Sequence, residues 1–219
     1  MLPARARGRR AGITLGVAPD GAQFDNHDPT YLTLLGEYFN QDLLSIAWSD
    51  LNPSPNEFTF DWLDRLLKYA TEHRMATLST LIWSGGTPQW LKAGNFTKAQ
   101  LMTIAEKYVT TVMTHYKGRI NACQIVNEPI WQAQGFWQAS FGSDFGSFVR
   151  QAYHWARAAD PEATLLITDY ANEGRDLPTT QGFFQLVEDL LARGTPIDAV
   201  GIEGHLLCRL KSSCPDQND

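Results

Sequence analysis

Short apolar runs alternate with longer stretches whose apolar residues recur at helical spacing, and that alternation leaves the chain few folds. The runs are Ile13 to Val17, Leu43 to Ala47, Ala76 to Ile82, Ala122 to Val126, Leu165 to Thr168 and Ile197 to Ile202. Each has strand length. Between them, Leu32 to Tyr38 is expected to be helical, and Trp62, Leu63, Leu66, Leu67 and Ala70 mark a second helix. Leu101, Ile104, Ala105, Tyr108, Val109, Val112, Met113 and Tyr116 mark a third, which Thr97 and Gln100 would open as a capping box. Phe145, Phe148, Val149, Ala152, Ala156 and Ala159 mark a fourth; Phe183, Phe184, Val187, Leu190 and Leu191 mark a fifth, with Gly194 as its C-cap. Near-continuous apolar strands separated by helices imply a parallel sheet with helices outside. No Gly-rich phosphate loop follows the first strand, which argues against a nucleotide-binding sheet. The expected fold is α/β, of the (β/α)8 TIM-barrel type and incomplete. About six of the eight β/α units are present, since a full barrel takes about 250 residues and this chain has 219.

Hydrophobic residues make up 43% and charged residues 19% of the chain, a globular balance. The net charge of -6 argues against nucleic acid or an anionic membrane as partner. No apolar run is long enough to span a membrane. Residues 1–10 carry Arg5, Arg7, Arg9 and Arg10 with no apolar segment behind them, so a disordered basic tail is expected and no signal peptide. The barrel portion is expected over 11–210, and a polar tail over 211–219. Three cysteines make no disulfide framework. Cys123 is expected to be a buried thiol, while Cys208 and Cys214 could pair or stay free. No Cys/His spacing suggests a metal, and no cofactor is expected.

The chemistry concentrates in Gln124-Ile125-Val126-Asn127-Glu128-Pro129. Ile125 and Val126 end an apolar run, Asn127 and Glu128 follow at its C-terminal tip, and Pro129 stops the strand. A carboxylate at that end of a barrel strand sits where barrel enzymes keep their catalytic groups. The neighbouring Asn can hydrogen-bond a sugar hydroxyl beside it. Such a pair suits general acid/base work in glycoside cleavage; the plainer alternative is a Glu ion-paired at a strand end.

Four segments in order resemble glycoside hydrolase family 10, the endo-1,4-β-xylanases. They are Asn52 to Phe60 with Trp48 before it; Thr80-Leu81-Ile82-Trp83 with Pro88-Gln89-Trp90; Ile125 to Glu128; and Asp169-Tyr170 with Gly201-Ile202-Glu203-Gly204-His205-Leu206. The resemblance implies a polysaccharide or oligosaccharide substrate, xylan or a related β-glycan. It implies cleavage with retention by two carboxylates about 5–5.5 Å apart. It casts Glu128 as the acid/base and Asn127 as the ligand of the sugar 2-hydroxyl. His205 would lie near the nucleophile, Trp83 would form an aromatic wall, and Glu203 and Tyr170 would line the sugar-binding face. Members of the family are usually extracellular.

The departures are equally specific. The family nucleophile lies at the end of a seventh strand, and nothing after His205 resembles it, so the nucleophile is expected to be missing and a C-terminal segment is a possible partner. Polar sugar ligands of the second strand are replaced here by Leu43, Leu44 and Ala47, and two His positions near the third strand read Ser79 and Ser84. A Gln of the sixth-strand motif reads Glu203. A sugar-binding barrel without catalysis and a barrel glycosidase of another β-glycoside specificity therefore stand as alternatives. Asp169 and Tyr170 are expected to organise the loop after the fifth strand.

Overall fold

The computed structural model describes residues 4–44, 47–131, 134–172, 174 and 177–204. The chain begins with helix α1 (Ala4–Arg10), strand β1 (Gly16–Val17) and helices α2 (Gly21–Asp25) and α3 (Pro29–Tyr38). Strand β2 (Gln41–Leu44), α4 (Trp48–Leu51), α5 (Asp61–Glu72), β3 (Ala76–Ile82), α6 (Gln89–Ala93) and α7 (Lys98–His115) follow. Then come β4 (Ala122–Asn127), α8 (Phe136–Phe141), a 3-10 turn at Gly142–Asp144, α9 (Phe145–Ala159), β5 (Thr164–Tyr170), α10 (Pro178–Ala192) and β6 (Ala199–Glu203).

All six strands are parallel and pair in chain order, β1-β2-β3-β4-β5-β6. A doubly wound sheet would reverse direction at a switch point. Sequential order without reversal is the winding of an incomplete (β/α)8 barrel. Alternate side chains therefore face either the barrel interior or the helix layer. On β3, Thr77, Ser79 and Leu81 are buried on the helix side, while Leu78 and Thr80 are half-buried on the other.

The helix layer is held by an aromatic stack. Trp48 lies parallel to Tyr108 at 3.8 Å and to Trp137 at 5.2 Å, and Trp137 continues onto Phe148 at 5.1 Å. The Trp48 indole donates to Asn52 Oδ1 at 3.1 Å and the Trp137 indole to Thr87 Oγ1 at 3.0 Å. Each buried indole thus keeps its polar edge satisfied, and the loops after β2, β3 and β4 are tied into one layer. At the start of α7, Gln100 Oε1 accepts from the Thr97 amide at 2.8 Å, and the Gln100 amide donates back to Thr97 Oγ1 at 3.3 Å. The expected capping box is therefore present.

Three expectations change. Residues Ala4–Arg10, expected as a disordered tail, form α1, and the Arg5 guanidinium donates to the carbonyls of Gly36 and His73. Those carbonyls, at the ends of α3 and α5, give the basic segment a partner that the sequence does not announce. The first strand shrinks to Gly16–Val17, and Ile13, expected within it, is 56% exposed. On β6, Val200 and Ile202 are 53% and 63% exposed on the outer face, so this run is not covered on both sides. Residues 205–219, with His205, Cys208, Cys214 and the expected polar tail, lie outside the described residues. Cys123 is buried as expected, and its thiol is pushed up to about 12, mainly by burial and further by the charge of Asp160.

Asp42 of β2 has no such explanation in packing. It is fully buried on the helix side, and neither carboxylate oxygen has a hydrogen-bond partner. Burial pushes its carboxyl up to about 7. An unfolded chain releases that proton near 3.8, so between these values the native state holds the proton and the unfolded state does not. Stability must then fall as pH rises from about 4 to about 7. Asp42→Asn is expected to remove this slope and to leave the variant more stable at pH 8, by up to ~4 kcal/mol. Urea unfolding of both proteins at pH 5 and pH 8 measures it.

Candidate active site

The C-terminal ends of β4, β5 and β6 meet at one end of the sheet, and a register shift decides what they present. Gln124 pairs with Leu166 and Asn127 with Thr168, three steps along β4 against two along β5. One extra residue is thus accommodated in β4, a bulge that re-aims the side chains beyond it. In a regular strand, positions three apart lie on opposite faces. Here the Gln124 amide group reaches both Asn127 Oδ1 and Thr168 Oγ1. Gln124 and Asn127 therefore share the interior face, alongside Thr80 of β3, whose hydroxyl donates to Gln124 Oε1 at 3.0 Å.

The network continues across the sheet. Thr168 Oγ1 lies 3.0 Å from Asn127 Oδ1 and 3.4 Å from Glu203 Oε1, so its single hydrogen is shared between the two. With its oxygen engaged by Gln124 and Thr168, Asn127 keeps its amide nitrogen for another acceptor. Glu203 is half-buried, opposite Tyr170 in the β5–β6 ladder.

Glu128 is half-buried and has left-handed backbone, with φ 50°. This conformation costs a non-glycine residue about 1–3 kcal/mol and persists only where the surroundings enforce it. They do. The Glu128 amide donates to the Thr168 carbonyl at 3.1 Å, extending the ladder one step. Just beyond, the buried Asp169 carboxylate accepts from the amides of Ile130 at 2.7 Å, Trp131 at 3.1 Å and its neighbour Tyr170 at 2.8 Å. From α8, Gln138 donates to the Pro129 carbonyl at 3.2 Å. Burial pushes the Asp169 carboxyl above its ordinary range; the three amides pull it back, and the nearby Glu128 charge raises it further. Asp169 thus organises the loop after β4 as well as the residue that follows it.

The aromatic residues divide between the core and the surface. Trp48 and Trp137 are core, and Trp90 donates its indole N–H to the Asn52 carbonyl at 3.0 Å. Trp83 is half-buried and lies flat on the backbone of Gly85 and Gly86, where any Cβ would collide with its ring. Trp131, not singled out by the sequence, is 52% exposed and stands 4.4 Å from the ring of Tyr170. Its position in the loop immediately after Glu128 was the available signal. The bridging roles of Gln124 and Thr168 were likewise missed, although one is a polar residue inside an apolar run and the other ends one. Leu44 faces the helix layer and is fully buried. Leu43, with Gln41, Leu78 and Val17, lines an interior cavity of about 240 Å³. His205 lies outside the described residues. Among the described residues no group of three His, Cys, Asp or Glu side chains could hold a metal.

An incomplete parallel barrel carrying a carboxylate after the fourth strand defines a class of barrel proteins with known members. The protein of Thermotoga petrophila described as xylanase 10B, solved with xylobiose, superposes with a TM-score of 0.83 at 23% identity, over 92% of this chain and 63% of that one. A family 10 glycoside hydrolase structure from Paenibacillus barcinonensis gives 0.81 at 29% identity, over the same shares. In sequence, an endo-1,4-β-xylanase of Agaricus bisporus is 31% identical over 93% of this chain and 62% of its own length. Endo-1,4-β-xylanase A of Phanerodontia chrysosporium is 32% identical over 93% of this chain and 50% of its own. The family model of glycosyl hydrolase family 10 matches residues 5–215. The chain belongs to that family, and it spans half to two thirds of the length of these relatives.

Removing one anchoring oxygen isolates the role of Asp169. Asp169→Asn is expected to cost about 1–3 kcal/mol and to speed hydrogen exchange at the Ile130 and Trp131 amides, with far-ultraviolet circular dichroism unchanged.

Proposed function

We propose that this chain provides the acid/base half of a retaining glycoside hydrolase that cleaves β-1,4 links in xylan or a related β-glycan. The observation that carries the reading is the presentation of Asn127 and Glu128 at the C-terminal end of β4, beside Tyr170 and Glu203. Glu128 protonates the departing glycosidic oxygen. Its carboxylate then takes a proton from the water that releases the sugar. Asn127, its oxygen held by Thr168 and Gln124, donates its amide hydrogens to the 2-hydroxyl of the sugar. Trp83, and Trp131 with Tyr170, supply flat apolar faces for pyranose rings. His205 acts near the nucleophile, and Glu203 lines the sugar-binding face opposite Tyr170.

Retention needs a second carboxylate about 5–5.5 Å from the first. The family places it on a seventh strand, while the described residues supply six. The proposal therefore takes the nucleophile from a segment that pairs beside β6. A second reading, sugar binding without turnover, is favoured by Leu43, which lines the interior cavity where the family carries polar sugar ligands.

The test is steady-state hydrolysis of an aryl β-xylobioside by the chain joined to a segment bearing the seventh strand. Glu128→Gln is expected to lower kcat by roughly 10²–10⁴-fold while the variant still binds xylo-oligosaccharide. Equal rates for both proteins would remove Glu128 from the mechanism. Binding without turnover in the parent would favour the second reading.

A further inference from the structure

A cavity of about 520 Å³ opens between the loops that follow β1 and β2, whereas Glu128 follows β4. Its volume lies within the roughly 300–1,000 Å³ of small-molecule sites. Gly21, Asp50, Thr59, Asp61, Trp62 and Arg65 line it together with Pro19.

The lining is built. Trp62 packs edge-on against Phe24 with ring centroids 6.4 Å apart, and its indole N–H donates to Asp25 at 3.2 Å. The same Asp25 pairs with Arg65 at 2.8 Å. One carboxylate thus fixes both an aromatic wall and a guanidinium. Gly21 opposes the ring, and a side chain there would touch it at 3.4 Å. Across the cavity, Asp50 Oδ2 accepts from the Ala47 amide at 3.2 Å, and the Thr59 hydroxyl donates to the Asp50 carbonyl at 2.5 Å. The Asp61 carboxylate makes no side-chain hydrogen bond or ion pair among the described residues, and its charge is felt by Tyr116.

This set offers a flat aromatic face, carboxylate acceptors in Asp50 and Asp61, and the remaining guanidinium donors of Arg65. A simple cation would use the acceptors but meet Arg65. An anion would use Arg65 but meet two carboxylates. A neutral ring whose hydroxyls both donate and accept, and whose C–H face is apolar, uses every element. We propose that this cleft is a second saccharide site, binding a pyranose unit of a glycan against Trp62, apart from the Glu128 groove. It would hold a distant stretch of the same polymer, or a neighbouring one, on the end of the barrel that carries Glu128.

The two sites can be read separately in one experiment. The Glu128→Gln chain is labelled with 5-fluorotryptophan and titrated with xylotetraose and with cellotetraose, following the ¹⁹F resonances. Trp62 is assigned through Trp62→Phe, and Trp83 and Trp131 report on the other groove. The Trp62 resonance is expected to shift saturably with at least one of the two sugars. Asp61→Asn, which breaks no bond of the fold, is expected to weaken that response by roughly tenfold without changing the response of Trp131. A Trp62 signal unmoved by either sugar overturns the proposal, whatever Trp83 and Trp131 do. So does a response unchanged by Asp61→Asn, or one reproduced by the cation agmatine at equal concentration.

Discussion

Asp169 is the group on which the end of the barrel that carries Glu128 depends. A carboxylate buried beside the helix layer is costly unless its oxygens are engaged, and here they gather the amides of Ile130, Trp131 and Tyr170. The loop after β4 has no helix or ladder of its own to satisfy those donors. Without Asp169 the left-handed turn at Glu128 would lose the anchored Ile130 and Trp131 amides that follow it, while the ladder bond to Thr168 and the contacts of Gln138 stayed in place. The strain at Glu128 and the burial of Asp169 are thus two sides of one arrangement. Each is unfavourable alone, and each is compensated through the other. The proximity of the two charges adds a repulsive component, visible in the rise of the Asp169 carboxyl.

Much of the architecture was legible because parallel barrels write themselves in period. β3 runs from Ala76 to Ile82 as the apolar run indicates, α9 from Phe145 to Ala159, and Thr97 with Gln100 opens α7. The four short helices at Gly21–Asp25, Trp48–Leu51, Gln89–Ala93 and Phe136–Phe141 were not anticipated. Each has six residues or fewer, too short for a helical stripe to emerge. They are positioned by tertiary contacts such as the Tyr108–Trp48–Trp137 stack. α1 escaped notice for a different reason. Its anchor is a guanidinium bonded to carbonyls 31 and 68 positions away, and no local pattern encodes that.

The residue types of the candidate site were legible in the sequence, and its geometry was not. Asn127 and Glu128 stand out as residue types at a strand tip. The partners that orient them do not, since Gln124 and Thr168 read as polar blemishes in apolar runs until the register is known. The second-strand substitutions illustrate the same limit. Leu43 and Leu44 look equivalent on paper, yet one faces the interior cavity and the other the helix layer. Trp residues divide similarly. Seven occur in the chain, and only coordinates separate the stacked interior rings of Trp48 and Trp137 from the solvent-facing indole of Trp131.

The bulge between Gln124 and Asn127 has a consequence for how this protein can vary. Losing one of the two residues between them would leave Asn127 two positions from Gln124, still on the interior face by strict alternation and still opposite Thr168. The cost would fall on packing, because Ile125 and Val126 are both buried. Ironing the bulge out at constant length is the opposite case: it would turn Asn127 toward the helices and move it one step along β5. The orientation of Asn127 thus rests on an irregularity of pairing, not on the residue count of β4.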